Sequence, residues 1–179
     1  MIERFVFAGF GGQGIMLMGK VLAYAAMKED KYVTWMPSYG AEVRGGTAHS
    51  MVVISDNLVA SPIVKDPTIC VVMNSPSLKK FEGKVQKKGL LIINRSLIKE
   101  SSKRNDIDIL EVNATDIAED MGNPRIANMV MLGAILGKRG ILKLDSLLDA
   151  LKDVISKKYS DMISLNEKAL KKGYEHGKS

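Results

Sequence analysis

The sequence predicts an α/β fold, a three-layer α/β/α sandwich around a largely parallel sheet. Three observations predict it: short apolar runs alternate with segments of helical spacing, a glycine-rich loop follows the first run, and the final part of the chain carries only helical patterns. The 179 residues are enough for one core, and no repeat or linker interrupts them. We therefore expect a single domain over residues 1–179.

The predicted strands are short runs rich in apolar and β-branched residues. The first, Arg4–Ala8, leads directly into glycines, which is typical of a buried strand that ends in a tight turn. The remaining five predicted strands are Tyr32–Met36, Ser50–Ser55, Ile69–Met73, Leu90–Ile93 and Ile107–Val112.

Helical spacing marks the segments between and after these strands. Ile15–Met27 places its apolar residues on one broad face. Asn123 and Pro124 form a helix start, with an N-cap and a proline at the first helical position. The helix that follows is apolar on nearly all sides, which indicates burial, and Gly133 and Gly137 within it would permit close approach of a neighbour.

Two more helices are predicted near the end of the sequence. Leu144–Ile155 follows amphipathic spacing closely. Ser160 is expected to cap a last helix that runs to about Lys172, with Asp161 near its positive end. Asn128, inside the apolar helix, needs a hydrogen-bond partner, and we expect it to cap a neighbouring loop.

Composition excludes several classes of site. Cys70, His49 and His176 are the only cysteine and histidines. An iron–sulfur cluster uses about four thiolates and a structural zinc site about four Cys or His ligands, so we expect this chain to hold neither by itself. Cys70 opens an apolar strand and is expected to be buried and inert, and His49 is expected to be a structural histidine with satisfied contacts.

Charge and hydropathy predict neither a nucleic-acid nor a membrane partner. The net charge is +6, but the lysines interleave with acidic residues and lack aromatic neighbours for base stacking. The longest apolar run, Met129–Leu136, is shorter than the roughly 20 residues of a membrane span. No secretory signal is apparent and no disulfide framework exists, which predicts a cytoplasmic location.

The strongest local signal is the segment GFGGQG, residues 9–14, between a strand and a helix. It matches the GxGxxG pattern at Gly9, Gly11 and Gly14. Such glycines allow a tight turn, and the helix start offers N–H groups and a positive dipole end to an anion such as phosphate. The alternative is a tight connection with no ligand. Gly12 and the amide of Gln13, expected to point outward, favour contact with a ligand or partner.

A dinucleotide-binding domain needs one more feature, an acidic residue at the end of the second strand that holds the ribose hydroxyls. Here that strand runs into the residues WMPSY, 35–39, which include no carboxylate. Glu29 and Asp30 precede the strand instead. A nicotinamide-dependent dehydrogenase is therefore disfavoured.

The second unusual segment is PSYGAEVRGGT, residues 37–47, which follows the second predicted strand. It is expected to leave the sheet at the same edge as the glycine loop, the edge where parallel α/β sheets bind ligands. Arg44 could hold a carboxylate or phosphate in a bidentate contact, or pair with Glu42 and hold the loop together. The sequence leaves both open. The candidate contact residues are Ser38, Tyr39, Glu42, Arg44, Gly45, Gly46 and Thr47.

These two loops, together with the segment NMVMLGA at 128–134, resemble the gamma subunit of 2-oxoacid:ferredoxin oxidoreductases over essentially the whole chain. The resemblance implies a Rossmann-like sheet of the pyruvate-ferredoxin oxidoreductase gamma-domain type. It also implies a multi-subunit enzyme that oxidatively decarboxylates a 2-oxoacid with coenzyme A, giving acyl-CoA, carbon dioxide and reduced ferredoxin.

The same resemblance implies that other chains hold the redox machinery. The expected partners are alpha and beta subunits and a ferredoxin-like delta subunit, with ferredoxin as electron acceptor. Thiamine diphosphate with Mg and the iron–sulfur clusters belong to those subunits. The two loops are the predicted contact residues of this chain, with coenzyme A as the substrate they would meet, and no catalytic residue or metal ligand is predicted.

The form of the two loops is similar to the 2-oxoglutarate type within this family, although Ala41 stands where proline is common. The alternative is a structural subunit of a related pyruvate, branched-chain or aryl 2-oxoacid enzyme. In that case the loops would pack on other subunits and bind no small molecule.

Overall fold

The computed structural model describes residues 1–38, 47–156 and 159–179. The described strands are β1 (Ile2–Gly9), β2 (Tyr32–Ser38), β3 (Ala48–Ser55), β4 (Ile69–Val72), β5 (Leu90–Asn94) and β6 (Asp108–Val112). The described α-helices are α1 (Ile15–Lys28), α2 (Ser75–Phe81), α3 (Ala114–Asp120), α4 (Ala127–Arg139), α5 (Leu144–Val154) and α6 (Asp161–Lys178). Each strand predicted from the sequence is present within a few residues.

All of these strands form one sheet in the order β2-β3-β1-β4-β5-β6. The pairs β1–β4, β4–β5 and β5–β6 are parallel, whereas β3 pairs antiparallel with both β1 and β2. The prediction of a largely parallel sheet is confirmed. In a dinucleotide-binding domain the first and second strands are direct neighbours. Here β3 lies between β1 and β2, so they are not.

The two faces of the sheet are covered unequally. On one face, Phe5 and Phe7 of β1 pack in a cluster with residues of α1, α3, α4, α5 and α6, and we call this the helix-rich face. On the other, Val6 packs with Leu78 and Phe81 at α2, and we call this the α2 face. The predicted three-layer sandwich is therefore confirmed, with one thick helical layer and one thin layer.

Helices α4 and α6 touch backbone to backbone. The contact uses glycines spaced four apart on each helix: Gly133, Gly137, Gly173 and Gly177. A Cβ atom at Gly173 would lie 1.9 Å from the carbonyl oxygen of Val130, and one at Gly133 would lie 2.1 Å from that of Leu170. The predicted close approach at α4 is confirmed, and its partner is α6.

Three details of the helix ends differ from or refine the predictions. Asn123 does cap, accepting a hydrogen bond from the Arg125 backbone N–H at 3.0 Å, but it opens a 3-10 turn (Pro124–Ile126) ahead of α4. Ser160 precedes α6 in helical conformation and its side chain makes no capping bond, so that prediction was wrong. Helix α6 extends beyond the predicted end at Lys172 to Lys178, because Gly173 packs against α4 and does not end the helix.

We expect Gly173→Ala to lower the free energy of unfolding by about 2 kcal/mol or more, because the forced separation of two backbones outweighs the gain in helix propensity. Urea denaturation followed by circular dichroism measures this. Gly83→Ala is the matched control, since a Cβ atom there meets nothing within 4 Å. Equal stability of the two variants would show that the α4–α6 contact tolerates a side chain.

Candidate functional site

The two predicted loops begin at the same edge of the sheet. Gly9, which ends β1, pairs with Ala48, and Ser38, which ends β2, pairs with the next residue along β3, His49. The carboxyl ends of β1 and β2 therefore flank the start of β3, as predicted. Most of the second loop, including Tyr39, Glu42, Arg44, Gly45 and Gly46, lies outside the described residues, and the proposed roles of these residues stay predictions.

The glycine loop makes a sharp turn into α1. Gly12 and Gly14 have φ angles of 97° and 73°, a left-handed conformation that favours glycine, and Gly14 is the N-cap of α1. Gly11 and Gly12 are exposed, and the adjacent Phe10 ring is 36% exposed. The tip of the loop therefore offers backbone and one apolar ring to a partner or ligand.

The side chain of Gln13 does not point outward as expected. Its Oε1 atom accepts a hydrogen bond from the Phe10 backbone N–H at 2.7 Å, and its Nε2 atom donates to the carbonyl oxygen of Met73 at 3.2 Å. The amide thus closes the glycine loop and ties it to the end of β4. Its physical role is to fix the shape of the loop, because both halves of the amide are occupied within the chain.

Packing explains two of the glycines. A Cβ atom at Gly9 would lie 2.6 Å from Gln13 Oε1, and one at Gly14 would lie 2.1 Å from Asn128 Nδ2. Asn128 is 2% exposed, donates to the carbonyl oxygen of Gly14 at 3.4 Å and accepts from the Met129 N–H at 2.9 Å. The expectation that Asn128 caps a neighbouring loop is confirmed.

A crevice of about 160 Å³ opens beside this loop on the helix-rich face, and we call it the edge crevice. Its lining residues come from the ends of several strands and the start of α4: Gly12, Gln13, Met73, Leu97, Thr115, Pro124, Arg125 and Ala127. The fully buried Asn94 donates through Nδ2 to Thr115 Oγ1 at 2.9 Å, while its Oδ1 atom is buried without a partner. The edge crevice thus has an unused acceptor next to its wall.

Arg125 supplies a cation at the edge crevice. It is exposed and also lines a second cavity of about 380 Å³, whose apolar members include Leu17 of α1, Val154 of α5 and Met162 of α6. A guanidinium at the junction of two cavities can bind a carboxylate or phosphate in a planar, bidentate contact. Sequence reasoning missed Arg125, Thr115 and Asn94, although Asn94 directly follows a predicted strand and Arg125 follows a predicted helix start.

Thr47 faces the opposite side of the sheet. Lys80 Nζ donates to Thr47 Oγ1 at 2.7 Å, and His49 Nδ1 lies 3.5 Å from the Thr47 carbonyl oxygen. The His49 ring packs against Phe81 with the ring centroids 5.4 Å apart, in keeping with a structural histidine. Ser38 pairs with His49 across the strands and so shares this α2 face. Ser38 and Thr47 therefore lie on the α2 face, whereas Gln13 lines the edge crevice on the helix-rich face.

Neither Cys70 nor a metal cluster contributes to these surfaces. Cys70 is fully buried, and burial raises the pKa of its thiol to about 12, so it stays protonated near neutral pH. Outside residues 39–46 and 157–158, no group of three or more His, Cys, Asp or Glu side chains is placed to hold a metal ion. Among the described helices, none has the length and apolar character needed to cross a membrane.

Gln13→Ala should open the glycine loop without unfolding the protein. We expect hydrogen exchange at the Phe10 amide to rise roughly tenfold, which corresponds to the loss of one hydrogen bond. Exchange measured by NMR resolves this amide. Gln86→Ala is the control, because Gln86 accepts a hydrogen bond from Arg4 Nη2 at the other end of β1. Unchanged exchange at Phe10 in the Gln13 variant would contradict the loop-closing role.

Residues 4–176 match the family described as pyruvate ferredoxin/flavodoxin oxidoreductase. Ketoisovalerate oxidoreductase subunit VorA from Methanothermobacter marburgensis is 40% identical over 172 residues, 95% of this chain. The chain spans only 35% of the length of that relative. The 2-oxoglutarate synthase subunit KorC from Methanocaldococcus jannaschii is 34% identical over 174 residues, which cover 96% of this chain and 91% of KorC.

Solved structures agree with the fold. The gamma subunit of a keto/oxoacid ferredoxin oxidoreductase from Geobacter sulfurreducens has a TM-score of 0.85 at 26% identity, with 98% of each chain covered. The PORC subunit of pyruvate oxidoreductase from Thermotoga maritima has a TM-score of 0.75 at 26% identity, with 97% of this chain and 96% of that one covered.

A third solved structure shares the fold at lower sequence identity. It is 2-oxoglutarate:ferredoxin oxidoreductase from Magnetococcus marinus, solved with 2-oxoglutarate, coenzyme A and succinyl-CoA bound, with a TM-score of 0.89 at 22% identity. It matches 99% of this chain, which covers 31% of the Magnetococcus chain. The fold therefore occurs both as a separate subunit and as part of a longer chain.

Proposed function

The chain belongs to the pyruvate ferredoxin/flavodoxin oxidoreductase family and corresponds to its gamma subunits, and from this premise we propose that it serves a coenzyme A-dependent 2-oxoacid:ferredoxin oxidoreductase that acts on 2-oxoglutarate. In this function the enzyme converts the 2-oxoacid and coenzyme A to acyl-CoA and carbon dioxide and passes the electrons to ferredoxin. The gamma chain forms part of the approach to the active site.

The observation that carries this proposal is the make-up of the edge crevice. Its wall offers a hydroxyl from Thr115, a guanidinium from Arg125 and the backbone of a glycine loop, and none of the lining residues in the described part of the chain is acidic, histidine or cysteine. Such a wall binds and orients an anion and has no group suited to proton transfer near neutral pH. It suits a subunit that positions a substrate while other chains carry out the bond-making steps.

Coenzyme A fits this surface chemically. Its phosphates match the exposed Arg125 and the start of α1, where the backbone N–H groups and the helix dipole favour negative charge. The donor groups lie within one crevice of about 160 Å³, enough for a phosphate-bearing end of the molecule, and the exposed Leu97 can pack against the pantetheine chain. The predicted loop contacts Gly11, Gly12 and Thr47 remain part of the proposal, with Thr47 on the other face of the sheet.

The cofactors of this reaction belong to partner chains in our proposal. Cys70, the single cysteine, is buried and protonated, so it does not fit an iron–sulfur cluster. We place thiamine diphosphate, Mg and the clusters in alpha, beta and ferredoxin-like delta subunits, and the assembled enzyme in the cytoplasm. The thiamine cofactor supplies the carbanion chemistry of decarboxylation. The residues of this chain hold and orient the acyl acceptor.

A branched-chain 2-oxoacid is the second candidate substrate. The observation that favours it is the 40% identity to ketoisovalerate oxidoreductase subunit VorA, compared with 34% to KorC from Methanocaldococcus jannaschii. The loop sequences favour 2-oxoglutarate instead. This preference rests on resemblance to 2-oxoglutarate-type subunits and not on a contact with the substrate, because in our proposal the 2-oxoacid itself binds in the partner chains.

Purification of the native complex tests the proposal directly. The chain carries an affinity tag, the co-purifying subunits are identified by mass spectrometry, and ferredoxin reduction is assayed with 2-oxoglutarate, pyruvate and 3-methyl-2-oxobutanoate. We expect partner subunits with thiamine diphosphate and iron–sulfur clusters and the highest kcat/KM with 2-oxoglutarate. A higher kcat/KM with 3-methyl-2-oxobutanoate would establish the second candidate, and no 2-oxoacid-dependent reduction would contradict both.

Arg125→Ala in the assembled enzyme should raise the KM for coenzyme A about tenfold with little change in kcat, since it removes one charge-assisted contact to a phosphate. Arg139→Ala is the matched control. Arg139 pairs with Asp108 and the Lys88 carbonyl at the opposite, amino edge of the sheet. Loss of assembly with an unchanged KM would favour a purely structural subunit.

A further inference from the structure

A separate cavity lies on the α2 face of the sheet. It has a volume of about 370 Å³, and its floor is apolar, with Val6 and Phe81 among its members. Among the described residues, its charged lining consists of lysines from two segments, Lys65, Lys80 and Lys84, with His49 beside them, and none of the described lining residues is acidic. We call this the α2-face cavity. Arg125 and the glycine loop do not line it.

Phe81 organises the cations of this cavity. Its ring is 3% exposed, and the ammonium groups of Lys80 and Lys84 lie 5.7 and 5.3 Å from its centroid. Cation–π attraction to one ring holds the two ammonium groups in the same region of the surface. Lys80 is further positioned by its hydrogen bond to Thr47 Oγ1 at 2.7 Å. The charges are thus placed by specific contacts.

Two of these lysines carry a charge that no carboxylate of the described residues balances. Within residues 1–38, 47–156 and 159–179, no ion pair joins Lys65 or Lys84 to a carboxylate. An anion beside these two ammonium groups would be attracted to both, and the apolar floor would strengthen the attraction by excluding water.

We propose that the α2-face cavity binds a small molecule that carries a phosphate or pyrophosphate group. Several separate ammonium groups around one space match the many oxygens of such a group better than the two oxygens of a single carboxylate. The volume falls in the usual range of small-molecule pockets, so an organic phosphate fits with its non-phosphate part against Phe81. This site is additional to the edge crevice and does not depend on the proposed reaction.

Titration calorimetry of the full chain with inorganic pyrophosphate, in a buffer free of phosphate and Mg²⁺, tests this site. The test variant is Lys65→Gln with Lys84→Gln, which keeps each side chain polar and only one atom shorter and removes two charges. We expect saturable binding to the unmodified chain and about tenfold or greater loss of affinity in the double variant. Circular dichroism verifies that the variant folds.

One control separates this site from general surface charge. Lys138→Gln removes an exposed lysine at the end of α4 and should leave pyrophosphate affinity within about twofold. Saturable binding that persists in the Lys65→Gln, Lys84→Gln double variant and is lost in Arg125→Ala would place pyrophosphate in the edge crevice and overturn the proposal. Absence of saturable heat with the unmodified chain, or an equal loss of affinity in Lys138→Gln, would overturn the proposal.

A second arm identifies the source of the phosphate. The Lys65→Gln, Lys84→Gln double variant is assembled into the enzyme and its KM for coenzyme A is measured. A raised KM identifies the bound group as a phosphate of coenzyme A, and an unchanged KM with lost pyrophosphate binding identifies a different phosphorylated ligand. The calorimetric experiment uses no 2-oxoacid, so its result tests the α2-face cavity whether or not the proposed reaction is correct.

Discussion

The backbone contact between α4 and α6 determines where the candidate site lies. Glycines on both helices allow an approach that any side chain would prevent, and α4 is buried along nearly its whole length as a result. Near its first turn, Asn128 contacts the carbonyl of Gly14, and the 3-10 turn before it carries Arg125. The shape of the glycine loop and the position of the crevice cation therefore both depend on how deeply α4 sits.

The antiparallel strand β3 has a second effect on the site. It separates β1 from β2, so Ser38 at the end of β2 lies one strand away from β1, whereas Ala48 at the start of β3 pairs directly with Gly9. Gln13 and Arg125 line a crevice on the helix-rich face, whereas Thr47 contacts Lys80 on the α2 face. The two faces of the sheet thus carry chemically distinct surfaces, one with a single guanidinium and one with several ammonium groups.

Sequence patterns predicted the strands and helices well because the spacing of apolar residues shows which face of each element is buried, and that spacing differs between strands and helices. The antiparallel direction of β3 relative to β2 could also have been predicted from the sequence. Residues 39–47, which connect the two strands, are too few for the crossover of about a dozen residues that a parallel neighbour needs. The orientation of the Gln13 side chain could not be predicted from the sequence, because the carbonyl oxygen that it contacts belongs to Met73, 60 residues away in the chain. The crevice roles of Thr115 and Arg125 likewise arise from tertiary packing that leaves no local signal.

The placement of α6 has a consequence for the order in which the protein matures. A growing chain emerges from the ribosome at about 5–20 residues per second, and the strands and α1 are complete before α6 has been made. Until then the glycine face of α4 lacks its partner helix. We therefore expect the sheet to form early in synthesis and the packing of α4, whose first turn lies at the edge crevice, to be completed last.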